Sequence, residues 1–302
     1  MRRSVIAFVA ICVAVSLGPP VAAKPRRSSV AIGNDISFPN CGGRFPTGQA
    51  FGIVGVNGGL ANNANPCLGP YQNGGVSTSE LYWTVATSSG ATTQPKASLY
   101  VNTADPGNTS NGQPIADWPK SGSTPYGDCM QTPITTSTGA ALVGENSPAC
   151  AYEYGWERAT QDAQTFFMDA AQAVDSLRPG VVSTNPGDYP WWLDIESANS
   201  WQAGTSGQQM NVAAIRGMVE YLRTLRSSTG LAPVVGVYAS SGDWQSITGG
   251  TGSSSPVYGL PLWVPGATSL SGAQSKCATA SYTGGGVRLT QWASTYDNDF
   301  AC

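Results

Sequence analysis

Tyr189-Pro190-Trp191-Trp192-Leu193-Asp194-Ile195-Glu196 is the stretch on which the fold reading turns. Pro190 cannot donate a ladder hydrogen bond, so it suits the start of a strand, and the aromatic and aliphatic run behind it has strand propensity. Residues 191 to 196 are therefore expected to form a buried strand. Side chains two apart on a strand point to one face, about 7 Å apart along the chain. Asp194 and Glu196 then project together at its C-terminal end, and Ile195 faces the other way. Two carboxyl groups in one half-apolar place cannot both keep their solution acidity, because desolvation and mutual repulsion raise at least one pKa. An acid and a base can thus arise from the same chemical group. Taken alone, the same spacing also fits a strand that ends in solvated loop carboxylates.

Outward from this stretch the chain alternates between two patterns. Ala50 to Asn57, closed by Gly58-Gly59, has the near-continuous apolar character of a strand buried on both faces. Lys96 to Asn102 reads as a second strand and Cys150-Ala151-Tyr152-Glu153-Tyr154, ending at Gly155-Trp156, as a third. Glu80 to Ala86 fits either helix or strand. Thr160 to Leu177 carries Ala163, Phe166, Phe167, Ala170, Ala171 and Val174 at helical spacing, with Arg178-Pro179-Gly180 as its stop. A second helix is expected from Gln208 to Ser227, with Gly230 where a C-cap belongs. Val234 to Tyr238, Leu262 to Val264 and Val287 to Trp292 complete the strands. Strands alternating with helices imply a parallel sheet. The expected fold is α/β: a single (β/α) barrel of TIM type over residues 49 to 302, disulfide-stapled, with long loops rich in Gly, Ser and Asn.

Residues 1 to 23 read as a signal peptide: Arg2 and Arg3, an apolar run from Val5 to Leu17, and Val21-Ala22-Ala23 as cleavage site. Residues 24 to 48 read as an extended lead-in. The apolar run is shorter than the roughly 20 residues that span a bilayer, so no transmembrane anchor is expected. Without Arg2 and Arg3 the 15 basic residues become 13 against 18 acidic ones, a net charge of −5. That balance argues against a nucleic acid partner. Six cysteines follow the signal, namely Cys41, Cys67, Cys129, Cys150, Cys277 and Cys302, an even set that reads as three disulfides in a secreted chain of the extracellular space or cell wall. Fifteen connectivities are open, and sequential pairing, which closes short loops, is preferred. The chain has no histidine and no Cys-x-x-Cys, so neither a metal nor any other cofactor is expected. Catalysis through Ser-His-Asp or Cys-His is excluded with it, which leaves any hydrolytic chemistry to carboxylates or other groups.

In a β/α barrel, functional groups gather at the C-terminal ends of the strands. Asn57, Glu153, Trp156, Asp194, Glu196, Tyr238, Trp263, Gln291 and Trp292 are expected there, with Asp297 and Asp299 just beyond. Aromatic rings beside carboxylates suit a sugar, whose apolar face stacks on indoles while its hydroxyls take polar partners. Any single tryptophan is more often core than ligand contact.

The order of Cys150-Ala151-Tyr152-Glu153-Tyr154, Leu193-Asp194-Ile195-Glu196, Val237-Tyr238-Ala239-Ser240, Leu262-Trp263-Val264 and Gln291-Trp292 with Asp297-Asn298-Asp299-Phe300 resembles glycoside hydrolase family 25. Those are lysozyme-type muramidases on a barrel. The resemblance implies a glycosidase acting on peptidoglycan or a related polysaccharide, with Glu196 as general acid, Asp194 as its partner, and Glu153, Trp156, Asn57, Tyr238, Trp263, Gln291, Trp292 and Asp297 as substrate-binding residues. A monomer is expected. Two positions depart from the family pattern. Gly52-Ile53 is followed by Val54 where the family has an aspartate, and the family's Tyr-His-Phe is Tyr152-Glu153-Tyr154 here. The alternative reading is therefore a catalytically inactive glycan-binding or cell-envelope protein on the same barrel.

Overall fold

The computed structural model describes residues 32–302. The expected signal peptide, with Cys12, lies outside the described residues. Among the described residues fourteen strands are defined in chain order. Three open the barrel: β1 (Ile32–Ile36), β2 (Gly52–Gly55) and β3 (Ala97–Asn102). Three small hairpins follow, from β4 (Thr109–Ser110) and β5 (Gln113–Pro114), β6 (Ser123–Thr124) and β7 (Gly127–Asp128), and β8 (Gln131–Thr136) and β9 (Gly139–Gly144). The barrel then continues through β10 (Trp191–Asp194), β11 (Val235–Tyr238), β12 (Leu260–Ala267), β13 (Gly284–Ala293) and β14 (Asp297–Ala301). Its closed order is β1-β14-β13-β12-β11-β10-β3-β2.

This barrel corrects the TIM-type expectation. Only seven of its eight strands run parallel; β14 is antiparallel to both β13 and β1. Three residues separate β13 from β14, and a parallel neighbour needs a crossover of a dozen or more, so that link can only be a hairpin. No α-helix separates β1 from β2 either. Helices cover the remaining links only: α1 (Glu80–Thr87), α2 (Pro148–Gln161) running through a π turn at Asp162–Phe167 into α3 (Met168–Leu177), α4 (Gly204–Thr224), α5 (Ser241–Thr248) and α6 (Leu270–Lys276). The result is a closed mixed barrel with an incomplete helical jacket.

Residues 32–36 fall in the segment read as a lead-in, and they form β1. Cys150 to Tyr154, expected as a strand, is the start of α2. Ser147 accepts from Cys150 N at 3.3 Å as N-cap and Pro148 occupies the first turn, and these local signals outweigh the aromatic strand propensity. The helix expected to close at Gly230 ends earlier, at Thr224. The three sequential disulfides are present: Cys41–Cys67, Cys129–Cys150 and Cys277–Cys302. Among the described residues no helix is long and apolar enough to cross a membrane.

Strand alternation divides the apolar side chains into two cores. Outward positions Val54, Leu99, Trp191, Leu193, Val237, Leu262 and Val264 meet the helices. Inward positions Ile53, Trp192, Trp263, Leu289 and Ala301 fill the barrel with Phe51, and Tyr100 and Tyr238 pack on them from above. Close approach demands glycine at two inward sites. A Cβ on Gly236 would lie 2.4 Å from the Trp192 ring, and one on Gly55 would lie 3.0 Å from Tyr100 and 2.8 Å from Ser37 Oγ. The lower barrel is therefore plugged, and the carboxylates that point inward lie toward its C-terminal mouth.

Candidate active site

Inward alternation carries Asp194 on from Trp192, one step above the plug, while β10 pairs Asp194 with Asn102 of β3 and Tyr238 of β11. Glu196 lies two residues further on, half-exposed at the rim. Across the barrel, β1 and β14 pair Asp35 with Asp297 and Gly33 with Asp299. Register thus brings carboxylates from opposite sides of the sheet to one end. Asp35, Asp194, Glu196 and Asp297 line a cavity of about 270 Å³ with Tyr100, Tyr238, Trp263 and Gln291.

Trp263 forms the floor. Its ring centroid lies 4.6 Å from that of Tyr238, 6.1 Å from Trp192 and 6.3 Å from Tyr100, all three at steep angles. Gln291 ties two walls together: its Nε2 donates to Asp35 Oδ2 at 3.0 Å and its Oε1 accepts from the Tyr238 hydroxyl at 2.7 Å. With its amide turned so that Nδ2 faces Asp194, Asn102 donates to Asp194 Oδ2 at 3.1 Å and accepts from Gly59 N–H at 3.3 Å.

No lysine or arginine lines this cavity. Burial, then the charges of Glu196 and Asp35, hold Asp194 well above the ordinary carboxylate range. Burial and the neighbouring Asp297 raise Asp35 to about 7, against the bond from Gln291. Asp299, completely buried, is pushed well above its ordinary value by burial and then by the charge of Asp35. Glu196 is raised by burial and then by Asp243 and Asp297, and Asp297 by burial. Chemically, the mouth can hold protonated and ionised carboxyl groups side by side at neutral pH, over an aromatic floor.

The structure brings together Asp194, Glu196, Tyr238, Trp263, Gln291 and Asp297 from the expected set. Four others do not line the cavity. Glu153 and Trp156 are on α2, where Trp156 packs between Tyr152 and Tyr221. Trp292 takes the opposite face of β13 from Gln291. Asn57, fully buried, accepts from Asn102 N at 2.7 Å and donates to Asn102 O at 3.1 Å, clamping the end of β3. Asp35 and Tyr100 are the additions. Val54 points outward into the helix-facing core, and on this side of the barrel the cavity takes its carboxylate from Asp35 of Gly33-Asn34-Asp35-Ile36-Ser37. No apolar run or alternation marks this segment in the sequence.

No protein-family model matches the chain, and no curated protein matches it in sequence. Among solved structures it is similar to a muramidase from Trichobolus zukalii, at 16% identity and a TM-score of 0.39, over 90% of this chain and 93% of that one.

Proposed function

We propose that this protein is a secreted glycoside hydrolase that cleaves a peptidoglycan-type glycan by carboxylate acid/base chemistry. The observation that carries the reading is the convergence of Asp35, Asp194, Glu196 and Asp297 above the Trp263 floor in one cavity. Glycosidic hydrolysis needs one carboxyl group that gives a proton to the leaving oxygen and another that stays charged opposite the developing oxocarbenium centre. Glu196 serves as the acid. It reaches the rim, where a glycosidic oxygen is accessible, and its surroundings favour the protonated form.

Asp194 is its partner on the same face of the strand, its Oδ2 bonded from behind by Asn102. Asp35 supplies the first-strand acid that the likeness to glycoside hydrolase family 25 calls for. Trp263, Tyr100 and Tyr238 offer ring faces and edges to a pyranose. The lack of any basic side chain in the lining suits a neutral glycan better than a uronic or sulfated one. The three disulfides fit a working life outside the cell.

The test is release of soluble fragments from labelled peptidoglycan, with new reducing ends counted. The wild-type protein is expected to release them, and Glu196→Gln to lower the rate by on the order of 100-fold or more, the usual share of a positioned acid. A folded wild-type protein that co-sediments with the polymer and releases nothing would establish a glycan-binding protein instead.

A further inference from the structure

At the opposite end of the barrel from the carboxylates, beneath Trp192, lies a hollow of about 330 Å³ that shares no lining residue with the candidate active site. Its volume falls in the range of small-molecule sites, roughly 300–1,000 Å³. Strand entries build it. Thr93, Gln94 and Pro95 lead into β3, Pro190 into β10 and Val234 into β11, while Pro261 is the second residue of β12. The three prolines put rigid apolar rings in the wall, and Val234 beside them is 52% exposed.

Arg288 completes the wall, and the sheet register explains how it comes to be there. Leu262 and Trp263 are consecutive on β12, yet they pair with Val287 and Leu289 of β13. Arg288 is thus the extra residue of a bulge, a device that re-aims a side chain out of the strand's alternation. It is exposed, and its guanidinium makes no ion pair among the described residues. No aspartate or glutamate lines the hollow to neutralise it. An unpaired guanidinium in a cavity wall is suited to a planar anion.

A second observation points to a ligand at the same place. Trp192 is 2% exposed, and its Nε1–H is buried without an acceptor. A buried donor left unpaired destabilises the fold, so an acceptor that reaches it gains more than an ordinary hydrogen bond. The ring turns its Cε3–Cζ3 edge to Gly236, and the nitrogen, on the opposite edge, faces away from β11. On that side β10 is bordered by β3, whose entry lines the hollow.

We propose that this hollow binds a small organic anion, a carboxylate carried on an apolar ring or chain. The carboxylate would sit on the Arg288 guanidinium, whose fork matches it with two parallel N–H bonds. The apolar body would lie among Pro95, Pro190 and Pro261 against the Trp192 ring. None of the carboxylates of the candidate active site takes part, so the inference stands whether or not the protein cleaves a glycan.

The experiment titrates the full-length secreted protein with benzoate and, as its uncharged counterpart, benzamide. Affinity is read by calorimetry, and the place of binding by the indole N–H signals of protein labelled with 15N-tryptophan. Benzoate is expected to bind saturably and to move the Trp192 signal, which is assigned by its loss in Trp192→Phe. Arg288→Gln, an exposed change that spares the fold, should weaken benzoate about tenfold or more, as for loss of a charge-assisted bond. Benzamide should bind wild type no better than benzoate binds Arg288→Gln. Absence of saturable benzoate binding up to about 10 mM, or equal affinity in wild type and Arg288→Gln, overturns the proposal. Where Trp192→Phe fails to fold, the Arg288→Gln comparison decides alone.

Discussion

Gln291 donates to Asp35 Oδ2 at 3.0 Å, so the last parallel strand steadies a carboxylate on the first. The bond favours the ionised form, yet burial and Asp297 prevail and leave Asp35 at about 7. A carboxyl group usually near 3.8 then carries a proton in the folded state at pH values where the unfolded chain has lost it. Its contribution to stability is fully present below 3.8 and is lost as pH rises through 7. Glu80, raised to about 7 by burial against a bond from Asn65, and Asp105, raised to about 6 by burial against Gln202, act with the same sign. The melting temperature is therefore expected to fall between pH 4 and pH 7.5. Asp35→Asn should flatten that slope without removing it, and equal slopes in variant and wild type would refute the account.

Asp243 gives the rim acid its second push. Bonds from Ser240 and Ser197 outweigh the cost of its partial burial and hold Asp243 below the ordinary aspartate value, so it is charged throughout the neutral range. Burial first and then this charge raise Glu196. Asp243→Asn should lower the Glu196 pKa and move the alkaline limb of kcat/KM to lower pH. The acid limb, set by other carboxylates, should move less. A profile that keeps its alkaline limb would mean that Glu196 is not the acid.

How much of this could be read beforehand depends on how strongly each strand is written in apolar residues. Trp191 to Asp194, with Glu196 beyond it, was legible because a dense apolar run reports a strand and its parity orients the carboxylates. Ile32-Gly33-Asn34-Asp35-Ile36 is too short and polar to register, although it closes the barrel and carries Asp35. Asp297-Asn298-Asp299-Phe300-Ala301 is similar. Its acids were noticed as chemistry, but its strand was not, and with it went the antiparallel turn that separates this barrel from a TIM-type one. Both strands gain their stability from neighbours on each side, which local sequence does not reveal. Tyr152-Glu153-Tyr154 erred in the other direction, since aromatic content suggested a strand and the Ser147-Pro148 cap decided for helix.

That relocation of Glu153 makes a prediction of its own. The side chain is half-buried on α2 over Gly122, where burial first and then the charge of Glu157 raise its pKa. It does not line the carboxylate cavity. Glu153→Gln should leave the rate of glycan cleavage within about twofold of wild type and shift stability by less than about 0.5 kcal/mol, as for a substitution away from any packed site. A large loss of rate with the fold intact would place Glu153 in the chemistry.

The plug below the site is the most sensitive part of the barrel to added volume. Trp192 lies across Gly236 of the neighbouring strand, and a methyl group there would sit 2.4 Å from its ring. Trp192 cannot retreat freely, because Trp263 packs edge-on against it with centroids 6.1 Å apart, and Trp263 is the floor under Asp194 and Tyr238. Gly236→Ala should therefore cost about 1–3 kcal/mol, the usual range for overpacking a filled core, seen as a melting temperature lower by several degrees. It should also lower kcat/KM through displacement of Trp263, although position 236 touches no substrate. A paired Gly236→Ala, Trp192→Phe variant, which removes part of the colliding ring, is expected to recover some of both losses. Loss of activity in Gly236→Ala without any loss of stability would show that the floor is not held up by this contact.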